Sequence, residues 1–474
     1  MAVSTGNQQK SAPLATGTGN SREGSYVEVV VEVLTVSIFF DGTRNNRFNT
    51  EAGLKSEQQR KRDISYQNYY SNVALLHDAM DEQLGVHEKI YIEGAGTEKY
   101  QLDDKLGLAA AEGRTGLGDR VYEALTELQA KCKDRKIRTL IINVYGFSRG
   151  AAFARNFCYV LKNKAVKRSP AVADLSRKTS INLVGIFDTV SSVGAYHYDD
   201  VKPLGLDIGK AEGIARVIHL TAQNDYRYHF PLTSISGAIK DGIGFECSFP
   251  GAHSDIGGGY PKIYKNEGAS GAYYMGYTDA AHKKYHMNWI DYRFFMQKGY
   301  YTDKQITFKN HMGRKVEKEN KKQPALINGK VTSAYWGYYG TDQPISVYAE
   351  RIVYYDYQFI FGEIMQDIIK KFAANTRWNV TNYLKDGIAA MKRQPALADF
   401  AKKNYAFVMG NLHRKAKLVS PHAASKEIYN QYIHNSLDYL NGVANKGTPD
   451  NKAKIGGKPV YIQAVRPKVT QGYR

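Results

Sequence analysis

Cysteine is nearly missing from this chain, with three in 474 residues. Cys132, Cys158 and Cys247 show no metal-ligand spacing. They are also too few for a disulfide framework, which excludes a cysteine-ligated zinc module and a disulfide-stapled scaffold. They are expected to be buried, small apolar residues. Long apolar runs are missing too. No charge-free stretch approaches the ~18 residues that a membrane-crossing helix needs, and the apolar segment at 26–40 is broken by Glu28 and Glu32 and alternates like a strand. Residues 1–25 are mostly Ser, Thr, Gly, Asn and Gln. They lack the apolar centre of a secretory signal peptide and are expected to form a disordered tail. No zinc-finger, RNP or phosphate-loop pattern occurs, so nothing in the motifs points to nucleic acid. No internal repeat of solenoid length is visible. Acidic residues are short of the basic ones, 46 against 65, which leaves a net charge of +19. That excess suits a solvated surface, an anionic lipid surface or nucleic acid.

Against these absences one stretch stands out. Gly146-Phe-Ser-Arg-Gly150 is a G-x-S-x-G pentapeptide. The segment before it, Thr139-Leu-Ile-Ile-Asn-Val-Tyr145, is β-branched and apolar and reads as a buried strand. The segment after it, Ala151-Ala-Phe-Ala-Arg-Asn-Phe-Cys158, reads as the start of a helix. A strand that turns sharply into a helix exposes its serine in a strained conformation and aims the helix N-terminus at any oxyanion formed there. Ser148 is therefore the candidate nucleophile.

A serine hydroxyl needs a base, and the base needs a carboxylate to set its tautomer. Ile181-Asn-Leu-Val-Gly-Ile-Phe187 reads as a buried strand that ends at Asp188. Phe245-Glu-Cys-Ser-Phe249 leads into Pro250-Gly-Ala-His-Ser-Asp-Ile-Gly-Gly-Gly-Tyr260, which holds His253 on a tightly turning loop. The order Ser148, Asp188, His253 is that of α/β-hydrolases. His434, in Tyr432-Ile-His-Asn-Ser436, is the alternative base. For the oxyanion hole, the Arg149 N–H follows the nucleophile, and the N–H of Gly42 or Thr43 follows the first core strand. Asp41 also fits a turn that closes that strand. Asp255 is expected to fix its loop by accepting N–H bonds from the glycine run. Asp41, Asp188, His253 and Asp255 lack the tight spacing of a metal site, so neither a metal nor another cofactor is called for.

Strands are predicted at 33–40, 89–93, 139–145, 181–187, 216–221 and 244–249. Helices are predicted at 71–84, 116–132 and 150–164. Alternation of this kind implies an α/β fold, a mostly parallel sheet with helices on both faces. Asp41, Ser148, Asp188 and His253 all fall just after strands, where such sheets carry their chemistry. The expected organisation is a tail over 1–25, a catalytic core over 26–260, an appended region over 261–445 and a second tail over 446–474. The appended region holds 15 tyrosines between 261 and 360, then helical stretches at 357–373 and 376–403. Tyrosine among lysines suits an irregular subdomain or an interfacial surface. One short strand is predicted at 459–465.

The serine, aspartate and histidine blocks, together with Phe39-Phe-Asp-Gly-Thr-Arg-Asn-Asn46, Tyr91-Ile-Glu-Gly-Ala-Gly-Thr97 and His219-Leu-Thr-Ala-Gln-Asn-Asp-Tyr-Arg227, resemble an α/β-hydrolase family first catalogued as a domain of unknown function. That family includes phospholipase effectors of the bacterial type VI secretion system. The resemblance covers residues 33–260 well and the remainder loosely. It departs at Tyr91-Ile-Glu-Gly, where relatives carry a proline-containing variant. It implies a hydrolase of membrane glycerophospholipid esters with its triad on Ser148, Asp188 and His253. It also implies a type VI secretion carrier, a cognate immunity protein and action in the target-cell periplasm. A serine esterase of a small soluble substrate, or a non-catalytic basic binding protein on this fold, would share the same sequence features.

Overall fold

The computed structural model describes residues 29–104, 115–164, 170–191, 201–266 apart from 226, 228 and 229, 296–309, and 351–434 apart from 374, together with the short strands at 273–274, 315–316, 346–349, 454–455 and 458–459. The 1–25 tail, most of the tyrosine-rich stretch and the strand predicted at 459–465, apart from Pro459, lie outside the described residues.

Seven strands form one sheet: β1 (Val29–Phe40), β2 (His87–Ile92), β3 (Arg135–Phe147), β4 (Thr179–Phe187), β5 (Val217–Ala222), β6 (Gly244–Phe249) and β7 (Lys417–Val419). Their order is β7-β6-β5-β4-β3-β1-β2, and every neighbouring pair is parallel. Six of the seven match the predicted strands. β7 comes from within 261–445, which ties that region into the sheet.

Parallel strands must be covered on both faces, so they read as near-continuous apolar runs rather than as alternating ones. In β1, Leu34, Val36, Ile38 and Phe40 enter one core while Phe39 enters the other. In β3, Leu140, Ile142 and Val144 face the first core, and Tyr145 and Phe147 face the second. The first core is closed by helices α2 (Leu117–Cys132) and α3 (Arg149–Asn163). The second is closed by α1 (Asn72–Ala79), α5 (Gln358–Phe372) and α7 (Pro395–Asn411). α5 buries Phe359, Phe361, Ile364, Met365 and Ile368 completely, so this helix helps to build the core that carries the sheet.

Two helix predictions need correction. The helix over 71–84 ends at Ala79, and Met80–Asp81 becomes a strand paired with Arg377–Trp378, an arrangement that buries Met80 fully. The single helix over 376–403 is two, α6 (Tyr383–Lys392) and α7, with Pro395 opening the second. Proline has no N–H for a continuing helix and clashes with the preceding turn, yet it suits a first helical position.

Candidate active site

Asp41, Ser148 and Asp188 each directly follow a strand that ends in a buried phenylalanine (Phe40, Phe147 and Phe187), and His253 lies four residues beyond Phe249. They therefore gather at the carboxyl edge of the sheet. The strand order reverses beside β1 and β3, and a crevice at such a point is where ligands bind in open α/β sheets.

The serine turn has the predicted strand–turn–helix form and strain, but Ser148 is buried rather than exposed. Ser148 has φ 59° and ψ −126°, a conformation that costs a non-glycine residue about 1–3 kcal/mol. Four backbone bonds hold it. Ser148 N–H donates to Phe187 O (3.1 Å), and Ser148 O accepts from Ala151 N–H (3.1 Å), Ala152 N–H (3.3 Å) and Val190 N–H (3.3 Å). The flanking glycines let the chain pack this closely. A side chain at Gly150 would fall onto the carbonyl oxygens of Phe40 and Asp41, and one at Gly146 would come within 2.6 Å of Gly150 O. α3 starts at Arg149, so its first N–H groups lie beside the serine.

Asp188 also has positive φ, 43°. Its Oδ1 accepts Ala222 N–H at 2.7 Å, and its Oδ2 lies 2.6 Å from His253 Nδ1. A carboxylate accepts, so Nδ1 carries the proton and Nε2 keeps its lone pair. The His253 ring lies against Phe147 (centroids 4.6 Å apart) and edge-on to Phe230 (5.2 Å). Burial pushes the imidazole below its ordinary range, against the pull of Asp188. The residue opens a short helix, α4 (His253–Gly257), where the sequence suggests only a turning loop. Asn72 Nδ2 anchors α4 by donating to Ile256 O (2.9 Å) and Gln358 O (3.0 Å). Asp225 Oδ2 accepts His253 N–H at 3.2 Å, and the Asp225 carboxylate pairs with Arg227, whose guanidinium lies 3.3 Å over the Phe230 ring.

His434, the alternative base, pairs elsewhere. Its Nδ1 lies 2.6 Å from Asp255 Oδ1, and its ring stacks on Tyr260 at 3.5 Å. Asp255 Oδ2 accepts the N–H groups of Ala252 (2.8 Å) and His434 (2.9 Å). Asp255 does fix its loop, but through Ala252 and His434 rather than the glycine run. His434 thus braces the segment that carries His253.

In the loop after β1, the Asp41 carboxylate accepts Gly42 N–H (2.7 Å), Ser71 Oγ–H (2.6 Å) and Tyr91 O–H (2.6 Å). Burial outweighs these bonds and raises the carboxyl to about 6. Of the two oxyanion candidates in this loop, Gly42 has its N–H turned onto Asp41. Thr43 Oγ1 accepts from Arg149 Nε at 2.5 Å, which joins the loops after β1 and β3. The three cysteines are buried, and burial lifts the Cys132 thiol to about 11 and that of Cys247 to about 12. No described helix is long and apolar enough to cross a membrane. No cluster of three or more His, Cys, Asp or Glu side chains able to hold a metal occurs among the described residues.

Residues 162–290, which include Asp188 and His253, match the family described as T6SS, phospholipase effector Tle1-like, catalytic domain. Over these residues, about a quarter of its length, the chain is similar to that family. Among solved structures it is similar to the Tle1 effector bound to the VgrG spike of the type VI secretion system, with 21% identity, 86% of this chain and 85% of that one covered, and a TM-score of 0.51. That likeness shows a common fold. A second similar structure is an uncharacterised protein from Pseudomonas aeruginosa, with 24% identity, 48% and 42% of the two chains covered and a TM-score of 0.35. None of the curated proteins matches.

Sequence reasoning passed over His219, Glu246, Ser71 and Tyr91 as site residues. A signal for the first two was present: a histidine and a glutamate each interrupt an otherwise largely apolar predicted strand.

Proposed function

We propose that this chain is a serine carboxyl-ester hydrolase of membrane glycerophospholipids. Ser148 is the nucleophile, His253 the base and Asp188 the carboxylate that orients it. The 2.6 Å contact between His253 Nδ1 and Asp188, beside a serine in an elbow conformation, carries this reading. His253 Nε2 takes the Ser148 proton as Oγ attacks the ester carbonyl. The tetrahedral oxyanion faces the N–H of Arg149. Thr43 is the better second donor, because the Gly42 N–H already serves Asp41. His253 returns the proton to the departing lysolipid alkoxide, and water then releases the fatty acid from Ser148 by the same steps. The family match supports lipid ester as the substrate class.

The same match supports a role as an antibacterial effector that reaches its target through a spike carrier of the VgrG kind and is neutralised in the producer by an immunity protein. The net charge of +19 suits anionic bilayers.

The test is hydrolysis of anionic liposomes beside a soluble short-chain ester, with wild type and Ser148→Ala. Both activities should vanish in the variant. Liposome hydrolysis alone should weaken as salt rises, since exposed charge attraction is screened beyond about 8–10 Å. Hydrolysis of the soluble ester without hydrolysis of liposomes would move the substrate to a small ester. In cells, export to the periplasm should be toxic for wild type and harmless for Ser148→Ala. Toxicity that survives loss of the serine would refute the enzymatic reading.

A further inference from the structure

Two ionisable side chains lie inside the sheet where the strands are otherwise largely apolar. His219 of β5 and Glu246 of β6 are register partners and fully buried. His219 Nδ1 lies 3.0 Å from Glu246 Oε2, and its Nε2 lies 3.0 Å from Thr189 N and 3.1 Å from Thr189 Oγ1. A backbone N–H only donates, so Nε2 must hold the lone pair and Nδ1 the proton. Glu246 accepts that proton's bond together with the Ile235 N–H (3.0 Å), the Ser234 hydroxyl and the Lys417 ammonium. Apolar residues would fill this space without these demands, so a buried imidazole and carboxylate invite the question of what they hold.

They hold the residue after Asp188. Asp188 has φ 43°, and such conformations persist where neighbours over-determine them. On one side, Asp188 N–H donates to Leu220 O at 2.8 Å. On the other, the following N–H, that of Thr189, is taken by His219. Both peptide planes flanking Asp188 are thus pinned to β5.

We propose that His219 is a positioning residue which, supported by Glu246, fixes the Thr189 amide and through it aims the Asp188 carboxylate at His253. This rests on the reading of Asp188 and His253 as two members of the triad. The ionisable groups facing His219 are Glu246 of β6, Asp188 just after β4 and Arg155 of α3. Burial, with Arg155, keeps the imidazole below its ordinary range against both carboxylates, which leaves Nε2 an acceptor at neutral pH.

Three variants test the assignment. His219→Leu removes the acceptor. His219→Gln can place an oxygen near the Nε2 position. His219→Asn reaches only the Nδ1 position. With Leu and Asn, kcat should fall about 100-fold, the scale of a small misplacement in a catalytic array, while KM stays within about threefold. The acid limb of the pH profile should move to lower pH, because a displaced Asp188 stabilises the His253 imidazolium less. Gln should recover about tenfold over Leu. Turnover near wild type in a folded Leu variant, or Gln no better than Asn, overturns the proposal. If Leu does not fold, the comparison of Gln with Asn decides it alone. A second readout needs no turnover. The downfield proton resonance of His253 Nδ1–H, assigned by its loss in His253→Ala, should move in the Asn variant and persist in Gln. If wild type shows that resonance but no esterase activity, the triad reading fails while the positioning role is still decided by the resonance.

Discussion

Replacing Asp188 by Asn exchanges one carboxylate oxygen for an NH2 group and should nearly abolish turnover without unfolding the protein. The φ of 43° at this position is one that Asn adopts about as readily as Asp, so the backbone has no reason to shift. The side chain then faces two donors, the Ala222 N–H at Oδ1 and the His253 Nδ1–H at Oδ2. An amide has one acceptor oxygen. If it serves Ala222, the amide NH2 faces His253 and drives the imidazole to the tautomer protonated on Nε2, which cannot accept the Ser148 proton. If it flips to keep the His253 tautomer, two donors meet at Ala222 in a fully buried site, which costs about 1–3 kcal/mol. The first arrangement satisfies both bonds and prevails. Loss of the correct tautomer in a Ser–His–Asp triad lowers kcat by about 10⁴-fold, equivalent to about 5.5 kcal/mol of transition-state stabilisation. The assay is kcat on a soluble ester at neutral pH, with circular dichroism to confirm the fold. A folded variant that retains more than about a tenth of wild-type kcat would refute the tautomer argument and remove Asp188 from the triad.

His434→Ala should keep most fluorophosphonate labelling of Ser148 while lowering Tm, because His434 braces the loop through Asp255; His253→Ala should lose the labelling, and the reverse pattern would make His434 the base. Gly150→Ala should lose both Tm and activity, because the added methyl meets the backbone carbonyls of Phe40 and Asp41; a variant with both intact would refute the close approach of α3 to β1. Acidification from pH 7 to 6 should lower Tm. Burial depresses His77, His87, His219, His253 and His434 below the ordinary imidazole range, so in this window the unfolded chain binds protons that the folded chain does not. Asp41, raised to about 6, opposes this most directly, and the carboxyls of Glu93, Asp103, Glu127 and Asp356, also raised by burial, act in the same sense. A Tm that is flat or rises between pH 7 and 6 in thermal melts would contradict these depressed imidazoles.

Much of the fold was legible because its signals are local. Six strands announce themselves as short apolar runs, since parallel strands covered on both faces have no polar side to display. The serine elbow is legible because its strain demands glycines at fixed offsets; Gly146 answers to Gly150 and Ala151 close by in sequence, whereas Gly150 answers to Phe40 and Asp41 of the distant first strand. The strand-end positions of Asp41, Ser148 and Asp188 follow from reading where the runs stop. β7 was not legible. Lys417–Val419 is three residues long, and only the edge of β6 makes it a strand.

The sequence by itself determined the strand–helix alternation, the serine turn and the order of serine, acid and histidine, all of them set by short-range sterics and burial. Which carboxylate each histidine meets was decided only by the tertiary structure. His253 meets Asp188 across 65 positions, His219 meets Glu246 across 27, and His434 meets Asp255 across 179. A hydrogen bond needs its partners within about 3 Å. Over such separations that proximity depends on the order of strands in the sheet and the packing of α4 beside the C-terminal segment, which no local pattern of residues contains.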